Sequence, residues 1–170
     1  MDPLDLTRKL CWLHGMCAFL RPSDIARIDV SKCIVTDTSV KLKEARPKET
    51  SHGIHQNTTH ILKRHRSIPA LCPMQTFKAY QRRLVGKRLQ RPHDTCPSLT
   101  YNPLVRAIND PDVAIGADRI RNHIKAIMSK LVLPKGARVP KARAAASAEA
   151  TKKGVSLDDI ITHGNWQSKK

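Results

Sequence analysis

Three stretches of this chain carry residue types suited to phosphate chemistry. Leu20-Arg21-Pro22-Ser23-Asp24-Ile25 places an arginine at a junction between two helical patterns, directly after a strongly apolar one. Pro140-Lys141-Ala142-Arg143-Ala144-Ala145-Ala146-Ser147-Ala148 places a second arginine early in a run of small residues. Gly154-Val155-Ser156-Leu157-Asp158-Asp159-Ile160 runs on into Gly164-Asn165-Trp166. A guanidinium is planar, permanently charged and able to form paired hydrogen bonds to phosphate oxygens. Each residue alone also has a plain structural explanation: Arg21 as a helix-capping charge, Arg143 on a solvated helix face, Trp166 as an apolar plug. Their order along the chain is what makes them informative together.

The elements that must position them can be read from periodicity and turn chemistry. Leu6, Leu10, Leu13, Cys17 and Leu20 recur at helical steps and predict an amphipathic helix. Pro22 breaks that pattern and opens a second helix to Ile28. Cys33-Ile34-Val35, Val40 to Lys43 and Thr58 to Ile68 read as strands, the last with His60, Leu62 and Arg64 on one face. Arg46-Pro47-Lys48-Glu49 reads as a turn and Thr50 to Asn57 as a polar loop. Leu71-Cys72-Pro73 opens a helix with Met74, Phe77, Tyr80 or Gln81, and Leu84 on its apolar stripe. Arg91 to Asp112 is rich in proline and turn residues and reads as an ordered loop. Asp118 to Leu133 is helical, with Ile120, Ile124, Ile127, Met128 and Leu131 on one side. Pro140 starts a helix that Gly154 ends, and its alanines suit tight packing from several sides. Ser156 to Asp159 resembles a capping box before a short helix to about Thr162. The fold class expected is α+β, mostly helical, with a small antiparallel sheet between Val30 and Ile68.

Composition narrows the function. The chain has 170 residues, with 31 Lys and Arg against 14 Asp and Glu, a net charge of +17. Such a chain is drawn to polyanions, nucleic acid above all. With aromatics at 4%, the core is expected to be built from Leu, Ile, Val, Met and Ala. No apolar run approaches the ~20 residues that span a bilayer, and Met1 to Leu10 lacks the layout of a signal peptide. Five cysteines scattered at 11, 17, 33, 72 and 96 argue for a reducing compartment. Cys11, His14 and Cys17 wind around a helix, and His52, His55, His60 and His65 lack matching cysteines, so no metal site is expected. No phosphate-binding glycine loop, dinucleotide fingerprint or nucleophile-elbow motif is present. No small-molecule cofactor is expected.

The order of the three stretches resembles the catalytic domain of the tyrosine recombinase superfamily, the integrases of phages and eukaryotic mobile elements. Leu20-Arg21-Pro22-Ser23-Asp24-Ile25 looks like the family's first arginine box. Lys48 is similar to the lysine the family carries on a β-hairpin. Arg143, with the small residues after it, matches the second arginine, and Gly154 to Trp166 resembles the segment bearing the His-or-Trp position. The family cuts DNA by attack of a tyrosine hydroxyl on the scissile phosphate. The resemblance implies that Arg21 and Arg143 clamp the phosphate, that Lys48 protonates the leaving 5′-oxygen, and that Trp166 supports through its indole N–H. It also implies a basic DNA-binding face that includes Arg64 and Lys141 with Lys48 and Arg143.

Two departures from the family pattern stand out. Pro140 occupies the place of the histidine in the usual His-x-x-Arg box. The only tyrosines, Tyr80 and Tyr101, lie upstream of Arg143, and the chain stops at Lys170. Residues 1–170 therefore read as a single truncated catalytic-type domain without the family's N-terminal clamp domain, inactive alone because it lacks the nucleophile. The expected partners are double-stranded DNA and other recombinase protomers, one of which could deliver a tyrosine in trans. The expected location is the nucleus, or the cytoplasm if the fragment is not imported, and not a secreted one. The alternatives are a basic RNA- or ribosome-binding protein, for which the chain has few aromatic stacking platforms, and a fragment without function.

Overall fold

The computed structural model describes residues 1–45, 50–51, 54–55, 59–164 and 166. Six helices and a small three-stranded antiparallel sheet make a mixed, mostly helical α+β architecture.

Helix α1 (Pro3–Cys17) is the central element. Asp2 caps it, its carboxylate accepting the Leu4 and Asp5 N–H groups at 3.0 and 3.3 Å. Leu6, Leu10, Cys11 and Leu13 bury its inner side, where α3 (Pro73–Arg82), α4 (Ala117–Met128) and α5 (Ala142–Lys152) pack. Leu20 belongs to the predicted stripe but lies beyond the helix, after Phe19 has turned the chain. Phe19 has φ 51°, a left-handed conformation that costs a bulky residue about 1 kcal/mol or more. Helix α2 (Pro22–Ala26) follows immediately.

The sheet runs β1 (Ile34–Val35), β2 (Ser39–Lys43), β5 (Thr59–Lys63), all antiparallel. Val40 faces Leu62 and Leu42 faces His60 across β2 and β5, and these four point into the core. The strand expected from Thr58 to Ile68 ends at Lys63, so Arg64, expected on one face with His60 and Leu62, follows β5 and is exposed. A second pairing, β3 (Thr50–Ser51) with β4 (Ile54–His55), lies where a polar loop was expected. The predicted turn at Arg46 to Glu49 lies outside the described residues.

The proline-rich stretch expected to be a loop contains a hairpin, β6 (Arg91–His93) with β7 (Cys96–Tyr101). Pro92 sits at its irregular register, where proline is tolerated in a strand. Helix α4 stops at Met128 instead of running to Leu133, leaving Leu131 and Val132 exposed. Helix α5 starts at Ala142, with Lys141 as N-cap, so Pro140 precedes the helix instead of opening it. Gly154, with φ 80°, terminates it as expected. Only Ala142 and Ala146 of α5 are buried, so its small residues pack on one side and not on several. Ser156 caps α6 (Leu157–Gly164): its hydroxyl accepts the Asp159 N–H at 3.1 Å and donates to the Asp159 carboxylate at 2.6 Å.

The core is not purely aliphatic. Phe77 and Tyr80 are fully buried at its centre. His14 joins them, 0% exposed and stacked on Phe77 with ring centroids 6.2 Å apart. Among the described residues neither ring nitrogen of His14 reaches ordinary hydrogen-bond geometry. Burial, opposed weakly by the Leu10 carbonyl, pushes the imidazole down to about 4 from its usual 6.5. The unfolded chain therefore binds this proton more readily than the folded one. Stability is expected to be full above pH ~6.5 and to fall by about 3 kcal/mol as pH drops toward 4. Glu44, whose carboxyl burial pushes up, acts in the opposite sense. Urea titrations of His14→Met against the parent isolate the histidine. A parent that loses no more stability than the variant across that window refutes the assignment.

Candidate nucleic-acid interface

The first arginine is placed by its backbone. The Arg21 N–H donates to Asp24 Oδ2 at 2.9 Å, closing the first turn of α2. The other oxygen, Asp24 Oδ1, accepts from Arg27 Nη2 at 2.9 Å. Arg27 Nη2 also lies 3.6 Å from Glu44 Oε2, and Glu44 Oε1 lies 3.1 Å from His60 Nε2. Asp24, Glu44 and His60 are all buried. A polar chain thus runs from the Arg21 backbone to the paired strands β2 and β5. Desolvation pushes the Glu44 carboxyl up, and its bond to His60 holds it back.

The second arginine is placed by close packing of α5 on α1. Gly15 lies at this contact: a Cβ there would meet the Ala142 Cβ at 3.4 Å. Arg143 then reaches across to the end of α6, where its Nη2 donates to the Gly164 carbonyl at 2.6 Å. Its guanidinium lies over the Trp166 ring, 4.7 Å from the centroid. Trp166 in turn stacks on Phe19 at 6.3 Å, and the Trp166 N–H donates to the Ile161 carbonyl at 3.0 Å. His163 meets Phe19 edge-on at 4.7 Å, and its Nε2 donates to the Cys17 carbonyl at 2.7 Å. The left-handed turn at Phe19 therefore carries the ring that seats both Trp166 and His163.

These placements bring Arg21 and Arg143 to one groove of about 460 Å³ between α2, α4 and α5. Arg121, Lys125 and Lys141 line it too, and among the described residues no acidic side chain does. Its floor is apolar, with Ile124, Met128 and Ala142. Arg121 pairs with Asp118 on the outer side of α4. Five cations around one concavity produce a focused positive potential, and two of them are guanidiniums at the sequence-predicted positions.

Of the predicted site residues, Arg21, Lys141 and Arg143 share this groove, and Trp166 stands behind Arg143 as an aromatic platform. Arg64 lies elsewhere, in a hollow between β5 and α6 with Lys63, His65 and His163. Lys48 lies outside the described residues. Pro140, at the family's histidine position, forms part of the groove wall. Sequence reasoning missed Arg121 and Lys125. Their signal was present on α4, four residues apart and flanking the stripe Ile120, Ile124, Met128.

Other nucleophiles are held away from this groove. Tyr80 Oη accepts the Arg106 N–H at 3.0 Å, and Tyr101 Oη donates to the Ala26 carbonyl at 3.3 Å. Burial raises the pKa of both phenols, and neither lines the groove. Burial also pushes the Cys11 thiol to about 12 and the Cys33 thiol to about 11, so neither is a thiolate at neutral pH. Among the described residues no three His, Cys, Asp or Glu side chains group as around a metal ion. No helix among them is long and apolar enough to cross a membrane. No protein-family model matches the chain, and no curated protein matches it.

Proposed function

We propose that this chain binds duplex DNA through the Arg21–Arg143 groove, as a tyrosine-recombinase-like catalytic domain that grips phosphate. One observation carries the reading. Two arginines far apart in sequence, each expected from the family resemblance to hold the scissile phosphate, line a single groove that the described residues make basic. Lys141, Lys125 and Arg121 extend the positive surface along which a phosphate backbone would run. The site is read as gripping phosphate and not as cutting it, since neither Tyr80 nor Tyr101 lines the groove. A tyrosine delivered by a second protomer would complete the family's chemistry. Lys48 and Arg64 belong to this proposal as further phosphate contacts.

The test is fluorescence anisotropy with a labelled duplex across a salt series, beside a single-stranded RNA control. Three to five phosphate contacts would give a log–log slope of about −3 to −4.5. A flat salt response, or RNA bound as tightly as duplex, would overturn the reading in favour of a generic basic RNA binder.

A further inference from the structure

A second concavity shares no residue with the first. It lies beside the end of α3, where Leu84 and Val85 follow the helix and Gly86, at φ 76°, turns the chain away. Its floor is aliphatic: Val30 and Val35 from the segment entering the sheet, with Leu84 and Val85. Its rim is basic: Lys78, Arg82, Lys87 and Arg88. Among the described residues no acidic and no aromatic side chain lines it. One rim cation, Lys87, has an acidic partner outside the groove, Asp112 at 3.0 Å. Val85 is 78% exposed, the second most exposed large apolar residue after Val132 among those not at the chain start.

We propose that this groove docks an acidic peptide segment of a partner protein, one that carries aliphatic anchors. The inference is independent of the DNA-binding reading. Charge decides the sign of the partner: besides Lys87, which pairs with Asp112, three further cations line the concavity, so the occupant is anionic. The floor decides its class. A nucleic acid backbone would leave the exposed Val85 and the half-buried Val30 and Val35 uncovered, and single-stranded bases would find no aromatic face to stack on among the described residues. An acidic helix or strand with leucine-type anchors covers the floor and pairs with the rim at once. A second copy of this chain fits less well. The chain carries only 14 acids against 31 bases, and Asp24, Asp29 and Glu44 among those acids are buried.

The experiment uses the full chain and a fluorescein-labelled acidic peptide with two leucines at i and i+4, near physiological salt. A control peptide has serine in place of both leucines. The expected result is saturable binding that falls about tenfold or more when the leucines are removed. Arg82→Glu with Arg88→Glu should weaken it similarly, with circular dichroism reporting an unchanged fold. Should that double variant misfold, the exposed Val85→Asp replaces it and is expected to cost a comparable factor. Arg21→Ala and Arg143→Ala should leave peptide binding unchanged, and duplex DNA should not displace the peptide. Equal binding of the serine peptide, indifference to the groove variants, or displacement by duplex DNA each overturns the proposal. So does sedimentation showing self-association of the free chain that Val85→Asp abolishes, because the occupant would then be a second copy.

Discussion

Arg143→Ala and Arg21→Ala are each expected to weaken duplex binding by about ten- to a hundredfold, since charge-assisted hydrogen bonds are worth roughly 1.5–3 kcal/mol. The two routes to that loss differ. Arg21 is held by its backbone N–H on Asp24, so alanine at position 21 removes the guanidinium and leaves that turn intact. Arg143 also ties α5 to α6 through the Gly164 carbonyl and the Trp166 face, so its alanine variant should lose some stability as well. Arg143→Lys separates the contributions: it keeps the charge and loses the planar fork, so binding should recover only in part. If the two guanidiniums grip one phosphate, the double variant should lose less than the product of the single losses. Anisotropy titrations on the four variants decide the matter. Two alanine variants that bind like the parent would remove the groove from consideration as the phosphate site.

Arg106→Met is expected to cost about 3–5 kcal/mol of stability and to lower Tm by roughly 10 °C. Arg106 is 1% exposed. Its Nε donates to the Pro103 carbonyl at 2.8 Å and its Nη1 to the Pro111 carbonyl at 2.6 Å. Its Nη2 reaches the Asn102 side chain and the Lys87 carbonyl. One side chain thus satisfies the inward carbonyls of a loop that has little regular structure of its own. Methionine fills much of the volume and leaves those acceptors buried and unpaired. Lysine should rescue little, because a point charge cannot reach four divergent acceptors. The loop leads directly into α4, so the variant should also loosen Arg121 and Lys125 in the groove. Thermal melts that agree with the parent to within about 2 °C would show that water replaces the guanidinium at no cost.

The sequence was most legible where local chemistry and burial agree. The stripes of α1 and α3, the glycine stop of α5 and the Ser156 cap of α6 follow from spacing and capping alone. The pairing of β2 with β5 also follows, because Val40, Leu42 and Leu62 alternate with exposed residues. The hairpin β6–β7 was hidden because Pro92 and Pro97 imitate loop composition, and only the cross-strand partners of Arg91 and Tyr101 define it. The end of α4 was overestimated because Leu131 and Val132 continue an apolar pattern that meets no neighbour. At the candidate site, the arginines were legible as a pair through their order along the chain. Their meeting in one groove depends on the turn at Phe19, which periodicity does not flag. Arg106 was invisible for a related reason: a buried arginine whose partners are carbonyls leaves no charge pattern to read.

The buried carboxylates have one more consequence. Asp24, Asp29 and Glu44 lie inside, paired with groups around α2 and the sheet, so the outer surface is more one-sidedly cationic than the net charge of +17 suggests. Self-repulsion of that shell opposes the compact state, while the internal pairs, shielded from solvent, feel dissolved ions little. Added electrolyte therefore relaxes the shell and favours the native chain, yet it would loosen the proposed grip on a polyanion. On that proposal, tightest binding and greatest intrinsic stability are expected at opposite ends of the ionic-strength range, a bound polyanion doing for the fold what salt does in its absence.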